Sequence, residues 1–242
     1  MAADILSWLT ARPIAHRGLH DGNRQCWENT ATAFERAIAG GFSIECDVVL
    51  TADRVPVVFH DHDLQRLTGR QGRTADTTAE ALCALSVGGT KDRPQRLDLA
   101  LAQIAGRVPV VIELKGDEGF DDGFVTAIAA ALDGYGGKAA IMSFDHHLVR
   151  RFAADASGVP RGLTAEGEDV AAMEAHFSML AHGIDFVSYD VAAIDNRFVA
   201  FTRRRLGLPL ITWTVSDMDA ARATWNAGGQ ITFEGFNPDT VA

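Results

Sequence analysis

The chain has 242 residues, of which 47% are hydrophobic and 22% charged, and its formal net charge is −10. That apolar share supports a sizeable core, and the length suits a single domain over residues 1–242. The acidity argues against a nucleic-acid partner and against docking on anionic membranes, since phosphate-rich surfaces repel such a protein.

Residues 1–9 lack a basic start and a long apolar run. They read as a short amphipathic helix covering one end of the domain, not as a signal peptide. No stretch approaches the roughly 18 apolar residues of a membrane span, so no stable membrane insertion is expected. Strand-like segments follow at 12–17, 43–49, 108–114, 139–144, 160–164, 185–189, 209–215 and 230–233. Helical patterns lie between them at 29–40, 96–105, 121–134, 145–156, 168–182, 195–206 and 217–227. This alternation predicts an α/β fold, an eight-stranded parallel (β/α)8 TIM barrel. A doubly wound open sheet competes, but it would carry a glycine-rich loop after the first strand, where His16-Arg17-Gly18-Leu19-His20 stands instead. Val55–Phe59 comes too soon after Val48-Val49-Leu50 for a helix to intervene. With Thr51-Ala52-Asp53-Arg54 as a tight turn, a β-hairpin extends strand two and brings His60 back toward Glu45 and Asp47. Residues 61–95 read as a long rim connection with one short helix at 78–85. Cys26, Cys46 and Cys83 are odd in number and widely spaced, which fits reduced thiols and a cytoplasmic location. Cys46 should face away from Glu45 and Asp47 as a packed core thiol.

Several short apolar strands end in charge. Strand side chains alternate faces, so Glu45 and Asp47 share one, as do Glu113 and Lys115. A buried charge at a strand end needs a partner or a metal. Glu45, Asp47 and Glu113 form an all-carboxylate set suited to a hard divalent cation, Mg²⁺ or Ca²⁺. The plainer alternative pairs each carboxylate with a local Arg or Lys. His16 and His60 are candidates for acid and base, because imidazole titrates near neutrality and phosphodiester cleavage needs both roles. Arg17 and Lys115 are candidate phosphate contacts. His20, His62, His146, His147, His176 and His182 lack this context and read as surface or loop residues. Asn29 or Thr30 can cap the first helix. Glu28 can reach the metal or orient His16.

The motifs His16-Arg17-Gly18, Glu28-Asn29-Thr30, Glu45-Cys46-Asp47-Val48, Val58-Phe59-His60-Asp61, Leu64-x-Arg66-x-Thr68 and Glu113-Leu114-Lys115 occur in order. Ser143-Phe144-Asp145, Trp213-Thr214-Val215 and Asn237-Pro238-Asp239 follow. From about residue 12 onward the chain resembles the glycerophosphodiester phosphodiesterases. The resemblance implies a TIM barrel and metal-dependent hydrolysis of a small-molecule glycerophosphodiester to sn-glycerol 3-phosphate and an alcohol. It also implies metal ligation by Glu45, Asp47 and Glu113, acid–base roles for His16 and His60, and phosphate contacts from Arg17 and Lys115. Trp213 would stand beside the glycerol moiety. Attack by the substrate's own hydroxyl, through a cyclic phosphate, is the implied route. Two features depart from the family: Ile231–Pro238 carries Glu234 where a Thr-Asp pair is usual, and Arg96-Leu97-Asp98-Leu99 replaces a Pro-Thr-Leu element. A lysophospholipase D, or a cyclising phospholipase-like enzyme, would need an apolar groove, with Phe120, Phe124 and Phe144 as wall candidates. A non-catalytic phosphodiester-binding barrel would have lost a histidine or a carboxylate from the set.

Overall fold

The computed structural model describes residues 6–240. Eight parallel strands form a closed ring: β1 (Ile14–Ala15), β2 (Ser43–Leu50), β5 (Val110–Leu114), β6 (Ala139–Ser143), β7 (Arg161–Ala165), β8 (Phe186–Asp190), β9 (Leu210–Val215) and β10 (Gln230–Phe233). Pairing of β1 with both β2 and β10 closes the barrel. The expected hairpin is present, with β3 (Pro56–Val58) antiparallel to β2 through Val48↔Val58 and Val49↔Val57. A further strand, β4 (Gln95–Arg96), pairs with β3 and widens this flap to three strands.

Alternation divides the apolar residues into two layers. Ile44, Cys46 and Val48 of β2, with Val110, Ile112 and Leu114 of β5, face outward into the main core beneath the helices. Cys46 is therefore a packed thiol on the face opposite Glu45 and Asp47, as the alternation predicts. Helix Ala31–Ala39 begins where the Thr30 hydroxyl accepts the Ala33 N–H, and it buries Ala33, Phe34 and Ala37 against the strands. The opposite, inward face of the strands carries Ile14, Val111, Ala140, Met142, Phe186 and Ile211. Leu9, with Trp8 beside it, closes this inner cluster at the N-terminal end.

Some elements differ from expectation. The N-terminal cover is a single 3₁₀ turn, Ser7–Thr10, and residues 1–5 of the expected helix lie outside the described residues. Segment 195–206 forms helix Arg197–Phe201 and then widens into a π turn, Thr202–Leu206. The connection 61–95 holds two short α-helices, Gln65–Thr68 and Ala79–Cys83, with a 3₁₀ turn, Thr74–Asp76, between them, instead of one helix. Leu64, Leu67, Ala79 and Leu82 pack there with Val49, Val57 and Phe59 as a satellite core, so the rim connection has apolar support of its own. His176 is not a surface residue: it is buried, its Nδ1 lies 3.3 Å from the Tyr189 hydroxyl, and burial lowers its pKa to about 4. Among the described residues no helix is long and apolar enough to cross a membrane.

Candidate active site

The C-terminal ends of the strands surround a cavity of about 370 Å³. His16, Arg17, Glu45, His60, Glu113, Lys115 and Trp213 all line it. Asp47 lies beneath, fully buried, with its Oδ1 3.1 Å from Lys115 Nζ. The structure thus brings together all eight residues singled out from the sequence.

Strand register sets the acidic group. Asp47 and Glu113 are direct partners across β2 and β5, and Glu45 lies two residues back on the same face. One carboxylate oxygen from each lies within 4.8 Å of the others, and all three residues are buried. The Arg17 N–H donates to Glu45 Oε2 at 2.8 Å, but Glu45 Oε1 is buried without a hydrogen-bond partner. An unpartnered carboxylate oxygen among two other carboxylates is the arrangement a hard cation satisfies, so these residues fit a divalent metal. Burial, then repulsion from Asp47 and Glu113, pushes the Glu45 carboxyl well above its ordinary range. Burial also raises Glu113, to about 7, with Asp47 adding to it against the pull of Lys115. For Asp47 burial acts upward too, but Lys115, Arg17 and the two histidines outweigh it and hold the group ionised.

The positive groups are placed by the turn after β1. Arg17 takes a left-handed conformation (φ 54°), and Gly18 follows at φ 78°. A Cβ at Gly18 would come within 2.9 Å of Ala33 and Phe34, so the close passage of helix Ala31–Ala39 requires glycine there. This turn sends the Arg17 guanidinium to Asp47 (3.1 Å) and Glu28 (2.8 Å). The Lys115 ammonium bonds Glu113 as well as Asp47, and the two carboxylates keep it protonated against the effect of burial.

Each histidine is backed by a carboxylate through Nδ1. His16 meets Glu234 Oε2 at 2.8 Å, and His60 meets Asp61 Oδ1 at 2.6 Å. Holding Nδ1 in this way leaves Nε2 as the working nitrogen. Burial, the largest effect on His60, lowers its pKa and favours the neutral ring.

A second layer was only partly foreseen. Glu28 neither reaches the acidic cluster nor orients His16. It sits between Arg17 and Arg66, which grips it with two bonds of 2.8 and 2.9 Å. Hydrogen bonds from Arg66 and the charge of Arg17 overcome burial and hold Glu28 at about 2. Arg66 also grips Asp61 with two bonds. Thr30, not Asn29, is the helix cap. Asn29 instead donates to Asp47 Oδ2 at 2.8 Å and accepts the Asp47 N–H at 3.2 Å. His20, expected at the surface, has a side chain only 7% exposed and lies 3.5 Å from Glu234. Of the aromatic residues proposed for an apolar groove, Phe124 is in the core and Phe120 stacks under Arg54. Phe144 alone lines the cavity, edge-on to Trp213 at 5.0 Å.

A model of the glycerophosphoryl diester phosphodiesterase family matches residues 16–229. The glycerophosphodiester phosphodiesterase of Caldanaerobacter subterraneus is 37% identical over 111 residues, covering 44% of this chain and 41% of that one. Human glycerophosphodiester phosphodiesterase 1 is 38% identical over 74 residues, covering 30% of this chain and 22% of that one. In these matches the chain covers less than half of the relatives' length. A phosphodiesterase structure from Oleispira antarctica, in complex with the product sn-glycerol 3-phosphate, superposes with a TM-score of 0.82 at 23% identity over 93% of both chains. At that identity the superposition shows the shared fold.

Proposed function

The chain belongs to the glycerophosphoryl diester phosphodiesterase family, and from that premise we propose that it hydrolyses glycerophosphodiesters to sn-glycerol 3-phosphate and an alcohol. The observation that carries this is the convergence on one cavity of three buried carboxylates, one with an unpartnered oxygen, and two carboxylate-backed histidines. The Oleispira antarctica neighbour holds the product that this reading expects.

Glu45, Asp47 and Glu113 would hold Mg²⁺ or Ca²⁺, which when bound supplies charge stabilisation for the phosphate and acidifies the attacking hydroxyl. Arg17 and Lys115 border the cavity beside the acidic cluster and supply contacts for the phosphate oxygens. The Trp213 indole N–H is buried without a partner, which suits it to donate to the glycerol moiety. His60, kept neutral by burial, accepts the proton of the glycerol hydroxyl as its oxygen attacks phosphorus. His16 protonates the departing alkoxide as the other P–O bond breaks. The product is a cyclic phosphate, favoured because the nucleophile is already tethered to the phosphorus. Water then opens the ring with the two histidines exchanging roles. The three cysteines, all outside disulfides, support a reducing, cytoplasmic setting.

The test is release of glycerol 3-phosphate from a panel of glycerophosphodiesters, run metal-stripped and then with Mg²⁺ or Ca²⁺ restored. Metal-dependent release is expected. A folded, metal-loaded protein that released none from any of them would overturn the proposal.

A further inference from the structure

The two histidines of the cavity are each backed by a carboxylate, and the two carboxylates are held differently. Asp61, behind His60, has a side chain 14% exposed and is gripped by Arg66 with two bonds. Glu234, behind His16, directly follows β10, and its side chain is 38% exposed. Among the described residues it forms no ion pair with an Arg or Lys. A second imidazole meets it instead: Glu234 Oε2 stands 2.8 Å from His16 Nδ1 and 3.5 Å from His20 Nε2. The loop after β1 fixes the His20 ring. Gly22, at φ 75°, turns its N–H back to His20 Nδ1 at 3.1 Å, while the Asp21 carboxylate accepts the N–H groups of Arg24, Gln25 and Cys26. Accepting at Nδ1 places the proton of the His20 ring on Nε2. That N–H is buried and has no other hydrogen-bond acceptor, so Glu234 is the group that can satisfy it. The two rings, His16 first and then His20, hold the Glu234 carboxyl well below its ordinary range, and it stays ionised between them. An ionised carboxylate can only accept, so the proton it shares with His16 belongs to Nδ1. His16 Nε2, on the far side of its ring, lies 4.0 Å from Glu45 Oε2.

We propose that His20 is a positioning residue for His16: it pins the Glu234 carboxylate that fixes the His16 ring. Its effect on turnover rests on the acid–base role proposed for His16; the arrangement of the three side chains does not. A half-exposed carboxylate has water as an alternative partner and several rotamers to choose from. Pinned from one side by His20, Oε2 is left to receive the His16 Nδ1–H from the other. Nε2 of His16 then stays turned to the cavity, where the doubly protonated ring donates to the departing alkoxide. Without His20 the carboxylate turns to solvent, and the His16 ring loses both its orientation and its preferred tautomer. His20 itself does not line the cavity at the barrel mouth. Its loss should therefore be felt in kcat and not in substrate binding or metal affinity.

The experiment uses the full chain with Mg²⁺ and two variants of His20. His20→Asn keeps an acceptor for the Gly22 N–H but falls short of Glu234. His20→Gln places an amide N–H where the Nε2–H stood. In His20→Asn, kcat for glycerol 3-phosphate release should fall about tenfold to a hundredfold with KM and Mg²⁺ affinity unchanged, since misplacing a reacting group by about 1 Å costs up to that much. His20→Gln should recover most of the loss. In a Glu234→Ala background His20→Asn should change kcat by less than about twofold, because the ring acts only through that carboxylate. A second readout needs no turnover. The His16 Nδ1–H proton, shifted downfield by its bond to Glu234, should be visible by NMR in the native chain and in His20→Gln, and lost to solvent exchange in His20→Asn. Unchanged kcat and an unchanged signal in His20→Asn, equal impairment in both variants, or a full additive loss in the Glu234→Ala background overturns the proposal. A His20-dependent signal in a protein without diesterase activity would uphold the positioning and count only against the hydrolase reading.

Discussion

The two ends of the barrel interior are separated by a single step along each strand. At the N-terminal end Ile14, Val111, Phe186 and Ile211 interlock under Leu9 and are excluded from solvent. Two residues further on, on the same inward face, stand His16, Glu113, Ser188 and Trp213. One end supplies stability through apolar burial. The other holds carboxylates whose burial opposes folding until a partner arrives. A strand interior thus divides its work by position rather than by element, and substitutions at the two ends should fail in different ways.

Glu113→Ala should show the largest effect on the mouth. Turnover should fall a thousandfold or more, on the order of 4 kcal/mol of barrier, with the thermal midpoint little changed. Retained turnover at saturating metal would remove Glu113 from the ligand set. Phe186→Ala is the mirror case: about 3–5 kcal/mol of stability should be lost in denaturant titration, with kcat preserved in the protein that remains folded. If instead kcat fell while stability held, the division between the two ends would not stand. Asp61→Asn leaves both ends intact and loosens the support of His60 together with the grip of Arg66 on Asp61. A fall in kcat of about tenfold with unchanged metal affinity is expected, and a loss of metal affinity would assign Asp61 a different role.

The mildest probe is pH. In metal-free protein Glu45 and Glu113 have folded pKa values raised above the ordinary 4.5, Glu113 to about 7. Glu113's contribution to stability is complete below pH 4.5 and is lost as pH rises through about 7, and Glu45's has the same sign. Asp47 has the opposite sign, but its change lies below 3.8, outside that window. His176, which burial lowers to about 4, and His60, which burial also lowers, have the opposite sign inside the window, so their share of stability grows as pH rises toward 6.5. The carboxylates are therefore read as a difference: the gain in melting temperature when metal is added to chelated protein should grow between pH 4.5 and 7, as the ligands ionise. A metal-induced gain that stayed flat across that range would mean that the carboxylates are already compensated in chelator.

The barrel was legible because its signals are local and repeated: apolar runs spaced by amphipathic helices, with one run, Val55–Phe59, arriving too early for a helix. The inner ring of site residues was legible for a related reason. Charges that alternate with buried apolar residues along a short strand mark its inward face as polar, as at Glu45, Asp47 and Glu113. What stayed hidden depends on long-range approach. Glu234 is 218 residues from His16, and nothing local marks it as that residue's hydrogen-bond partner. Asn29 and Thr30 look alike as helix caps, and only the path of the chain past β2 sends one to the helix and the other to Asp47. His176 appeared polar and peripheral because its hydrogen-bonding neighbour, Tyr189, comes from another element.

Arg66 reaches neither the cavity lining nor the acidic cluster, yet it is the only residue bonded to both Asp61 and Glu28 among the described residues. Through it the support of His60, on the flap side, is joined to the support of Arg17, on the first turn of the barrel. The proposed proton acceptor and the proposed phosphate contact consequently share one mechanical reference, and substitutions at their supports should not act independently. A double-mutant cycle between Asp61→Asn and Glu28→Gln should show a coupling of about 0.5–3 kcal/mol in kcat/KM, and the same cycle built on Arg66→Ala should show it collapse.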